Sequence, residues 1–373
     1  MKIHIFIAHM GIGGSERVCV NLANELVKRH EVNIVVLNLK NDVNTHLIDK
    51  RVRIHELGVS RLRYAALPML RYIKKNKPQF VFIFGMEMAV ILNKLKKLRL
   101  IDTRLIVRVL NNVNISLAKE DNVSPIVENY LKKAQSQMKD MDMVISQCKA
   151  MGKMLLDSGV TSEENMKVIY NPVSLDLITR VDKKRSSENN PNINARNRIT
   201  FIGRVDPQKQ PEHLIRAFAL INRKRPDAVL RIVGNGNLIE QTKELAENLD
   251  VVGSVIFDDI RKDMDNVYSN TDVVILCSQY EGMPNALIEA IGCGIPVVSY
   301  DCPIGPEEIV EDGVNGFLVE QDNIEILAEK TLLALDQSWD RDIIKATCKK
   351  FDPVKIAAQY EEVFEWITQK EIQ

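Results

Sequence analysis

Two glutamates stand eight residues apart beside a predicted helix start in the last third of the chain. Glu281 precedes Pro284, and Glu289 follows it. Pro284 suits the first turn of a helix, because the amide it lacks would have no intrahelical partner there. A helix N-terminus favours an anion such as phosphate. Two carboxylates near a phosphate would repel it unless they bind another group. Sugar hydroxyls are the natural candidates for that group. The alternative is an ordinary helix whose glutamates face solvent.

Two cations follow another predicted strand, in the stretch RITFIGRVDPQKQ. Arg204 can clamp phosphate oxygens through its fork, and Lys209 can act as a point charge. Together with the helix start near Pro284, they could neutralise a diphosphate without a metal. No carboxylate pair with DxD spacing offers a divalent-cation site in that loop. The alternative is that both cations are surface charges.

The elements that must position these residues alternate between strand and helix through both halves of the chain. Val273 to Leu276 is a continuous apolar run, which is typical of a strand covered on both faces of a parallel sheet. Near the N-terminus, a strand is followed by the turn HMGIGG, and Ser15 is predicted as the N-cap of the next helix. This turn allows phosphate to approach, but tight strand-to-helix packing explains its glycines equally well. Without a GxGxxG pattern, a dinucleotide is not specifically indicated.

The predicted fold class is α/β, with two Rossmann-like, doubly wound parallel-sheet domains facing a central cleft. We expect an N-terminal domain over residues 1–178 and a C-terminal domain over 179–353. The polar stretch from Arg180 to Arg198 cannot bury anything and is predicted to be an exposed loop between them.

Composition describes a globular protein of 373 residues, with 45% hydrophobic and 27% charged residues. The six cysteines show no CxxC or metal spacing, which indicates free thiols. Because no apolar run is long enough for a signal peptide or a membrane span, we expect a cytoplasmic protein.

A formal net charge of zero hides an asymmetry between the two halves of the chain. Residues 1–178 contain 27 basic and 17 acidic residues, and the remainder contains 23 and 33. The basic excess is concentrated in residues 61–99, which predicts a face for an anionic surface. Within it, Val90, Leu92, Leu95 and Leu98 alternate with lysines at helical spacing. This helix either packs on the core with solvated lysines or lies on anionic lipid headgroups. Nucleic acid is not expected, since no aromatic platform is interleaved with the charge.

Several short motifs follow one another over nearly the whole chain: GGSER, NPV, FIGRVDPQKQ, IVGNG, EGMPNALIE, GIPVVSYDCPIGPEEIV and DGVNGFLV. In this order they resemble the retaining, nucleotide-sugar-dependent glycosyltransferases of GT-B architecture that act in bacterial polysaccharide assembly. The resemblance implies that a C-terminal helix, here within 354–373, packs back on the N-terminal domain.

The resemblance also implies roles for individual residues. Arg204 and Lys209 would hold the donor diphosphate, Glu281 the hydroxyls of the transferred sugar, and Glu289 the ribose. Arg204, Lys209 and Glu281 are therefore the expected catalytic residues. The loop Gly282, Met283, Pro284 and Asn285 would contact sugar through its backbone, Ala286 and Leu287 would offer amides to phosphate, and Gly203, Gly13 and Gly14 would let the backbone approach the donor.

Two departures from the family pattern accompany this resemblance. Many relatives carry a histidine after the strand RLIVRVL, where this chain has Leu110, Asn111 and Asn112. We therefore expect Arg108 or Asn112 to line the acceptor or sugar side instead. Relatives commonly have glycine where Asp258 stands, in the loop that brackets the base, which leaves the identity of the base open.

Together with these residues, the resemblance implies a metal-independent hexosyltransferase without a cofactor. It would move a hexose or N-acetylhexosamine of the galacto or gluco type, with retention, from a UDP-sugar to a polyprenyl-diphosphate-linked glycan. The setting would be O-antigen, capsule or exopolysaccharide assembly at the inner face of the cytoplasmic membrane. Two alternatives stay open: a UDP-sugar 2-epimerase of the same architecture and a non-catalytic nucleotide-binding protein.

Overall fold

The computed structural model describes residues 1–11, 13–40, 42–110, 136–186, 197–259 and 263–369. The chain forms two compact units: Met1–Pro172 together with Asp352–Gln373, and Val173–Phe351. Each unit contains its own parallel sheet.

The sheet of the first unit explains why its strands read as apolar runs. Its strands are β1 (Lys2–Phe6), β2 (Glu31–Val36), β3 (Arg53–Glu56), β4 (Phe80–Phe84), β5 (Arg104–Arg108), β6 (Met143–Ser146) and β7 (Met166–Val168). They pair in parallel in the order β3-β2-β1-β4-β5-β6-β7. Helices α1 (Gly14–Leu26), α2 (Ala66–Asn76), α3 (Met86–Lys97) and α4 (Lys149–Asp157) accompany it. All five residues of β4 are buried, as expected for a strand covered on both faces.

The second unit repeats this plan with six described strands. They are β8 (Arg198–Ile202), β9 (Val229–Val233), β10 (Val255–Asp258), β11 (Val273–Leu276), β12 (Val297–Tyr300) and β13 (Gly316–Val319). Their order is β10-β9-β8-β11-β12-β13. Its helices are α5 (Leu175–Arg185), α6 (Pro211–Lys224), α7 (Ile239–Asn248), α8 (Met264–Ser269), α9 (Asn285–Gly292), α10 (Ile324–Asp336) and α11 (Arg341–Thr347). The strand order reverses between β8 and β11, and ligands of such sheets bind beyond the carboxyl ends at this switch point.

The last helix, α12 (Pro353–Gln369), belongs to the first unit. Tyr360 and Phe364 lie in that unit's core, where the Phe364 ring stacks on Phe80 with 4.8 Å between centroids. At the surface, Glu361 accepts hydrogen bonds from Arg29 at 2.9 and 3.1 Å. The C-terminal segment therefore completes a domain whose other residues come from the first half of the chain.

Two local predictions were wrong. Ser15 is not the N-cap of α1: that position is Gly13, and Ser15 lies inside the first turn, where its hydroxyl donates to Glu16 at 2.6 Å. The stretch after Arg180 is not a loop at its start, because α5 continues to Arg185. Leu177 and Val181 are buried on one side of this helix, which lets its polar residues face outward. Residues 187–196 lie outside the described part of the chain.

Candidate functional site

The loop between β11 and α9 brings the first glutamate to the carboxyl edge of the second sheet. The four residues of β11 are all buried, and the chain then passes through Ser278 to Glu281 before α9 begins at Asn285. Glu281 is 7% exposed. A carboxylate at this depth needs partners, because burial of an unpaired charge is strongly unfavourable.

Glu281 finds those partners in a lysine and a serine. Lys209, which ends the short 3-10 turn after β8, donates from Nζ to Oε1 of Glu281. Ser278 donates from Oγ to the same oxygen at 2.6 Å. The Lys209 and Glu281 side chains are 13% and 8% exposed, so water screens their attraction poorly. The structure thus joins the residues predicted to bind phosphate and sugar in one ion pair.

Arg204 lies in the same loop but remains largely open to solvent. Its side chain is 64% exposed and contacts Asp206 at 3.1 Å and the Gln208 side chain, also at 3.1 Å. Gln208 links this loop to the glutamate loop, because its side-chain amide donates to the Tyr280 carbonyl at 2.8 Å and its backbone carbonyl accepts from the Gln279 backbone amide at 2.8 Å. An exposed guanidinium held from one side is suited to an incoming anion.

The start of α9 is arranged as the sequence suggested, with one difference. Pro284 occupies the N-cap position, and Gly282 and Met283 are buried before it. The Leu287 amide donates to the Pro284 carbonyl at 3.1 Å, so this predicted phosphate donor is engaged within the first turn. Asn285 and Ala286 are the partly exposed positions of the turn. A phosphate would therefore reach the helix at these two residues.

Glu289 lies inside α9 and is 8% exposed. The Tyr268 hydroxyl, from α8, donates to its Oε2 at 2.9 Å. Tyr268 is itself fully buried. The two glutamates are thus each held by a hydroxyl from a different part of the second unit.

Glycines allow the loops of this edge to pack against one another. Gly203 donates its amide to the Val233 carbonyl at 3.1 Å, and a side chain at Gly234, whose φ is +153°, would collide with the Gly203 carbonyl. Gly305 has a φ of +104°, and a Cβ there would lie 2.8 Å from the Gly282 carbonyl oxygen. The loop after β12 therefore supports the glutamate loop at backbone distance.

The thiol of Cys277 contacts the loop that carries Lys209, and it is chemically inert. Its Sγ donates to the Lys209 carbonyl at 3.2 Å, and burial raises the pKa of Cys277 to about 12. At neutral pH it stays protonated and cannot act as a thiolate nucleophile.

Asp258, which departs from the family pattern, ends β10. Its carboxylate lies 3.3 Å from Nε of Arg231 on the neighbouring strand. This acid is therefore matched by a cation one strand away.

The first unit contributes a glycine turn at the carboxyl end of β1. Gly13 is the N-cap of α1 in an extended conformation, and Gly14 begins the helix. The Asn44 side chain is buried and donates to the Gly11 carbonyl, which braces the turn. These predicted donor-binding glycines and the glutamate cluster belong to different compact units.

Arg108 ends β5 and is fully buried rather than open to a ligand. It donates to the Tyr360 hydroxyl at 3.0 Å, to Gln147 at 3.3 Å and to the Asn171 side chain. Its guanidinium thereby fastens α12 to the sheet. Asn112, the other residue predicted for the acceptor or sugar side, lies outside the described residues.

Sequence reasoning did not find three supporting residues: Gln208, Tyr268 and Ser278. Ser278 stands three residues before Glu281, which was an available signal for a local hydrogen bond. Tyr268 and Gln208 act across the fold, and their partners could be found only with the topology known.

Comparisons with known proteins agree with this architecture. Residues 12–177 match the model of "Glycosyltransferase Family 4", and residues 182–351 match that of "Glycosyl transferases group 1". An uncharacterised glycosyltransferase of Haemophilus influenzae is 28% identical over 87% of each chain. A Campylobacter jejuni α-1,4-N-acetyl-D-galactosaminyltransferase, named for an undecaprenol-diphosphate-linked acceptor, is 26% identical over 94% of this chain and 95% of its own.

Solved structures show the same fold. HepE of Anabaena, in complex with UDP-glucose, is similar with a TM-score of 0.80 and 21% identity, over 98% of this chain and 100% of that chain. The two family matches cover the two sheets in turn, and the relatives align along both. The chain belongs to the GT-B glycosyltransferases of the bacterial polysaccharide type.

Proposed function

We propose that the protein transfers a hexose or N-acetylhexosamine, with retention, from a UDP-sugar to a polyprenyl-diphosphate-linked glycan during polysaccharide assembly. The observation that carries this proposal is the cluster of Lys209, Ser278 and Glu281 at the switch point of the second sheet, with Arg204 exposed beside it. The name of the Campylobacter relative supports the lipid-linked acceptor, and the UDP-glucose complex of HepE supports the donor class.

The chemical need of such a transfer is to stabilise charge that builds on the departing nucleoside diphosphate. Arg204 offers a fork to the phosphate oxygens, and Lys209 offers a charge that Glu281 now holds in place. The start of α9 adds its dipole and the amides of its first turn. These groups supply positive charge from the protein itself, and we propose that the enzyme needs neither a metal nor a cofactor.

The glutamates are proposed to bind hydroxyls and not to act as an acid and a nucleophile. Oε1 of Glu281 already accepts from two donors, and Oε2 of Glu289 accepts from Tyr268. Carboxylates held in this way are suited to accept hydrogen bonds from a sugar or ribose. A front-face substitution needs no protein nucleophile, and the inert thiol of Cys277 is consistent with that route.

A second part of the proposal concerns the membrane. No helix in the described ranges is long and apolar enough to cross a bilayer. The apolar side of α3 is buried at Val90, Leu92 and Leu95, so this helix packs on the core, the first of the two alternatives. Leu98, the fourth residue of the predicted pattern, lies just beyond the helix and is 68% exposed. Lys96 and Lys97 are also paired, with Asp142 at 2.6 Å and Asp140 at 2.8 Å. These contacts favour another part of residues 61–99 as the surface that meets lipid.

The better candidate is a surface at and before α2, which we call the α2 surface: Arg61, Arg63, Tyr64, Leu67, Arg71, Lys74 and Lys75 are all exposed. Tyr64 and Leu67 are 57% and 54% exposed, and Leu67 and Arg71 share one face of the helix at a spacing of four residues. No carboxylate of the described residues pairs with the cations of this surface. Exposed apolar side chains beside cations that no described carboxylate neutralises fit an anionic lipid surface, and we propose that the enzyme docks on the membrane here.

One experiment separates the proposed activity from its alternatives. The protein is incubated with UDP- and GDP-sugars, with and without a polyprenyl-diphosphate-linked glycan, and the products are read by mass spectrometry. A transferase lengthens the acceptor by one sugar and releases UDP. A 2-epimerase changes the UDP-sugar without an acceptor, and a non-catalytic protein leaves both unchanged. Either of the last two results would overturn the proposal.

A further inference from the structure

Two buried hydroxyls in the second unit each donate to one of the two glutamates. Ser278 is 1% exposed and donates to Oε1 of Glu281 at 2.6 Å. Tyr268 is fully buried and donates to Oε2 of Glu289 at 2.9 Å. A hydroxyl that donates to a charged group in a dry site contributes more than an ordinary hydrogen bond, and it fixes geometry as well.

Ser278 and Lys209 together fix the orientation of the Glu281 carboxylate. Oε1 accepts from both Ser278 and Lys209, whereas no donor among the described residues reaches Oε2. The terminal torsion of a glutamate is broad, so such donors are needed to hold the plane of its carboxylate in one direction. With them in place, Oε2 is the oxygen left to accept a hydrogen bond from a donor-sugar hydroxyl.

The backbone of Tyr268 is held in place by a second set of hydrogen bonds, separate from the one to Glu289. Arg185, at the end of α5, donates to the Tyr268 carbonyl at 2.8 Å and to the Thr271 carbonyl at 2.5 Å. Burial lowers the pKa of Arg185 to about 10, so it remains charged at neutral pH. The end of α8 is thereby fixed, and the phenol reaches α9 from a rigid support.

We propose that Ser278 and Tyr268 are the positioning residues of the donor site. Ser278 presents one oxygen of Glu281 to the transferred sugar, and Tyr268 orients Glu289 toward the nucleoside. This inference rests on the proposed function, since it takes the sugar and nucleoside roles of the two glutamates from there. Neither hydroxyl touches the reacting atoms, and each acts through its glutamate.

The two hydroxyls can be removed one at a time, so that each variant is the control for the other. Ser278→Ala is expected to lower kcat by roughly 10²-fold, because a misplaced sugar contact is costly to the reaction. Its affinity for UDP should stay near that of the wild type, since UDP carries no transferred sugar. Ser278→Thr, which keeps the hydroxyl, should recover most of the turnover.

Tyr268→Phe is expected to raise the Kd for UDP by roughly 10-fold, the loss expected for a hydrogen bond to a charged group. Its kcat at saturating donor should fall by a smaller factor than its UDP affinity. UDP binding is measured by calorimetry, and folding is checked by thermal denaturation.

If Ser278→Ala does not fold, Ser278→Cys keeps the side-chain volume with a weaker donor, and the same loss of kcat is expected.

Equal shifts of kcat and UDP affinity in both variants would show a general structural role and overturn the inference. It would equally be overturned by unchanged values in both, or by a threonine that does not restore turnover. Glu281→Ala and Glu289→Ala separate this outcome from failure of the proposed function. If these two variants keep full turnover and UDP affinity, the donor site itself is wrong. If Glu281→Ala loses turnover and Glu289→Ala loses UDP affinity while the hydroxyl variants change neither, only the positioning roles fail.

Discussion

Lys209 and Glu281 form a largely buried ion pair between the loops that follow β8 and β11, although 72 residues separate them in the chain. The Lys209 charge is therefore already committed before a donor arrives. A diphosphate beside Arg204 would bring a second anion to this lysine. The ammonium has three donors, so it can contact the diphosphate and keep its hydrogen bond to Glu281.

We expect Lys209→Ala and Glu281→Ala each to lower turnover by roughly 10²–10³-fold, the range found when one preorganised charge contact to a transition state is lost. UDP release is measured at saturating donor and acceptor. Arg216→Ala and Glu212→Ala provide a matched control, since these residues form an exposed pair at 2.8 Å on α6. The site assignment would be contradicted if both buried-pair variants transferred sugar at the rate of these controls.

The same pair gives a stability prediction. Removing one partner leaves the other charge buried, so each single variant should lose roughly 3–5 kcal/mol of unfolding free energy. The double variant Lys209→Ala with Glu281→Ala should lose less than the sum of these two single variants, by a coupling of roughly 1–3 kcal/mol. Urea denaturation of the four proteins measures this. Strict additivity would mean that the two side chains do not interact in solution.

Much of the fold follows from the sequence, because parallel strands covered on both faces must be apolar runs. The run Val273–Leu276 is β11 with the predicted bounds. The donors on Glu281 could not be predicted in the same way, because a pattern shows which residues lie near a strand end but not how they pair. The prediction of Ser15 as an N-cap was wrong for a physical reason. Serine favours that position, but α1 already begins at Gly14, so Gly13 is its N-cap.

Acid should destabilise the first unit through His4. Burial, followed by the charges of Lys2 and His55, lowers the pKa of His4 to about 4, from 6.5 in the unfolded chain. Between pH 4 and pH 6.5, His4 is protonated in the unfolded chain but neutral in the folded protein. Unfolding free energy should therefore fall by roughly 1.4 kcal/mol per pH unit as pH drops from 6.5 to 4, and His4 adds no slope above 6.5.

His4→Gln removes this titration, so its urea midpoint should change less between pH 6.5 and about 5 than that of the wild type. The variant keeps a polar group near the Tyr72 hydroxyl, which lies 2.8 Å from Nδ1 of His4. His9→Gln, at an exposed position, is the matched control and should follow the wild type. Parallel curves for His4→Gln and the wild type would exclude His4 as the source of the acid sensitivity.

The hydrogen bond between Arg108 and Tyr360 should contribute to the unfolding free energy by holding α12 on the sheet. The donation from Arg108 to the Tyr360 hydroxyl at 3.0 Å is fully buried. Tyr360→Phe should lower the unfolding free energy by roughly 1.5–3 kcal/mol, as expected for a hydrogen bond to a charged group. Tyr64→Phe, at an exposed position, should change it little. Equal midpoints for the two variants in urea denaturation would show that the hydrogen bond does not hold α12.

We expect the α2 surface to bind anionic lipid vesicles. Arg71→Gln with Lys74→Gln removes two exposed cations, so partitioning onto phosphatidylglycerol vesicles should weaken roughly 30-fold, at about 1 kcal/mol per cation near the surface. Raising salt should weaken the wild type in the same direction. Leu67→Ser should reduce binding by an amount that salt does not change, because its contribution is apolar. Arg223→Gln with Lys224→Gln, two exposed cations at the end of α6, is the matched control and should bind as the wild type does. If the fraction of protein that co-sediments with vesicles changes neither with salt nor in the α2 variants, these cations are only a solvated face.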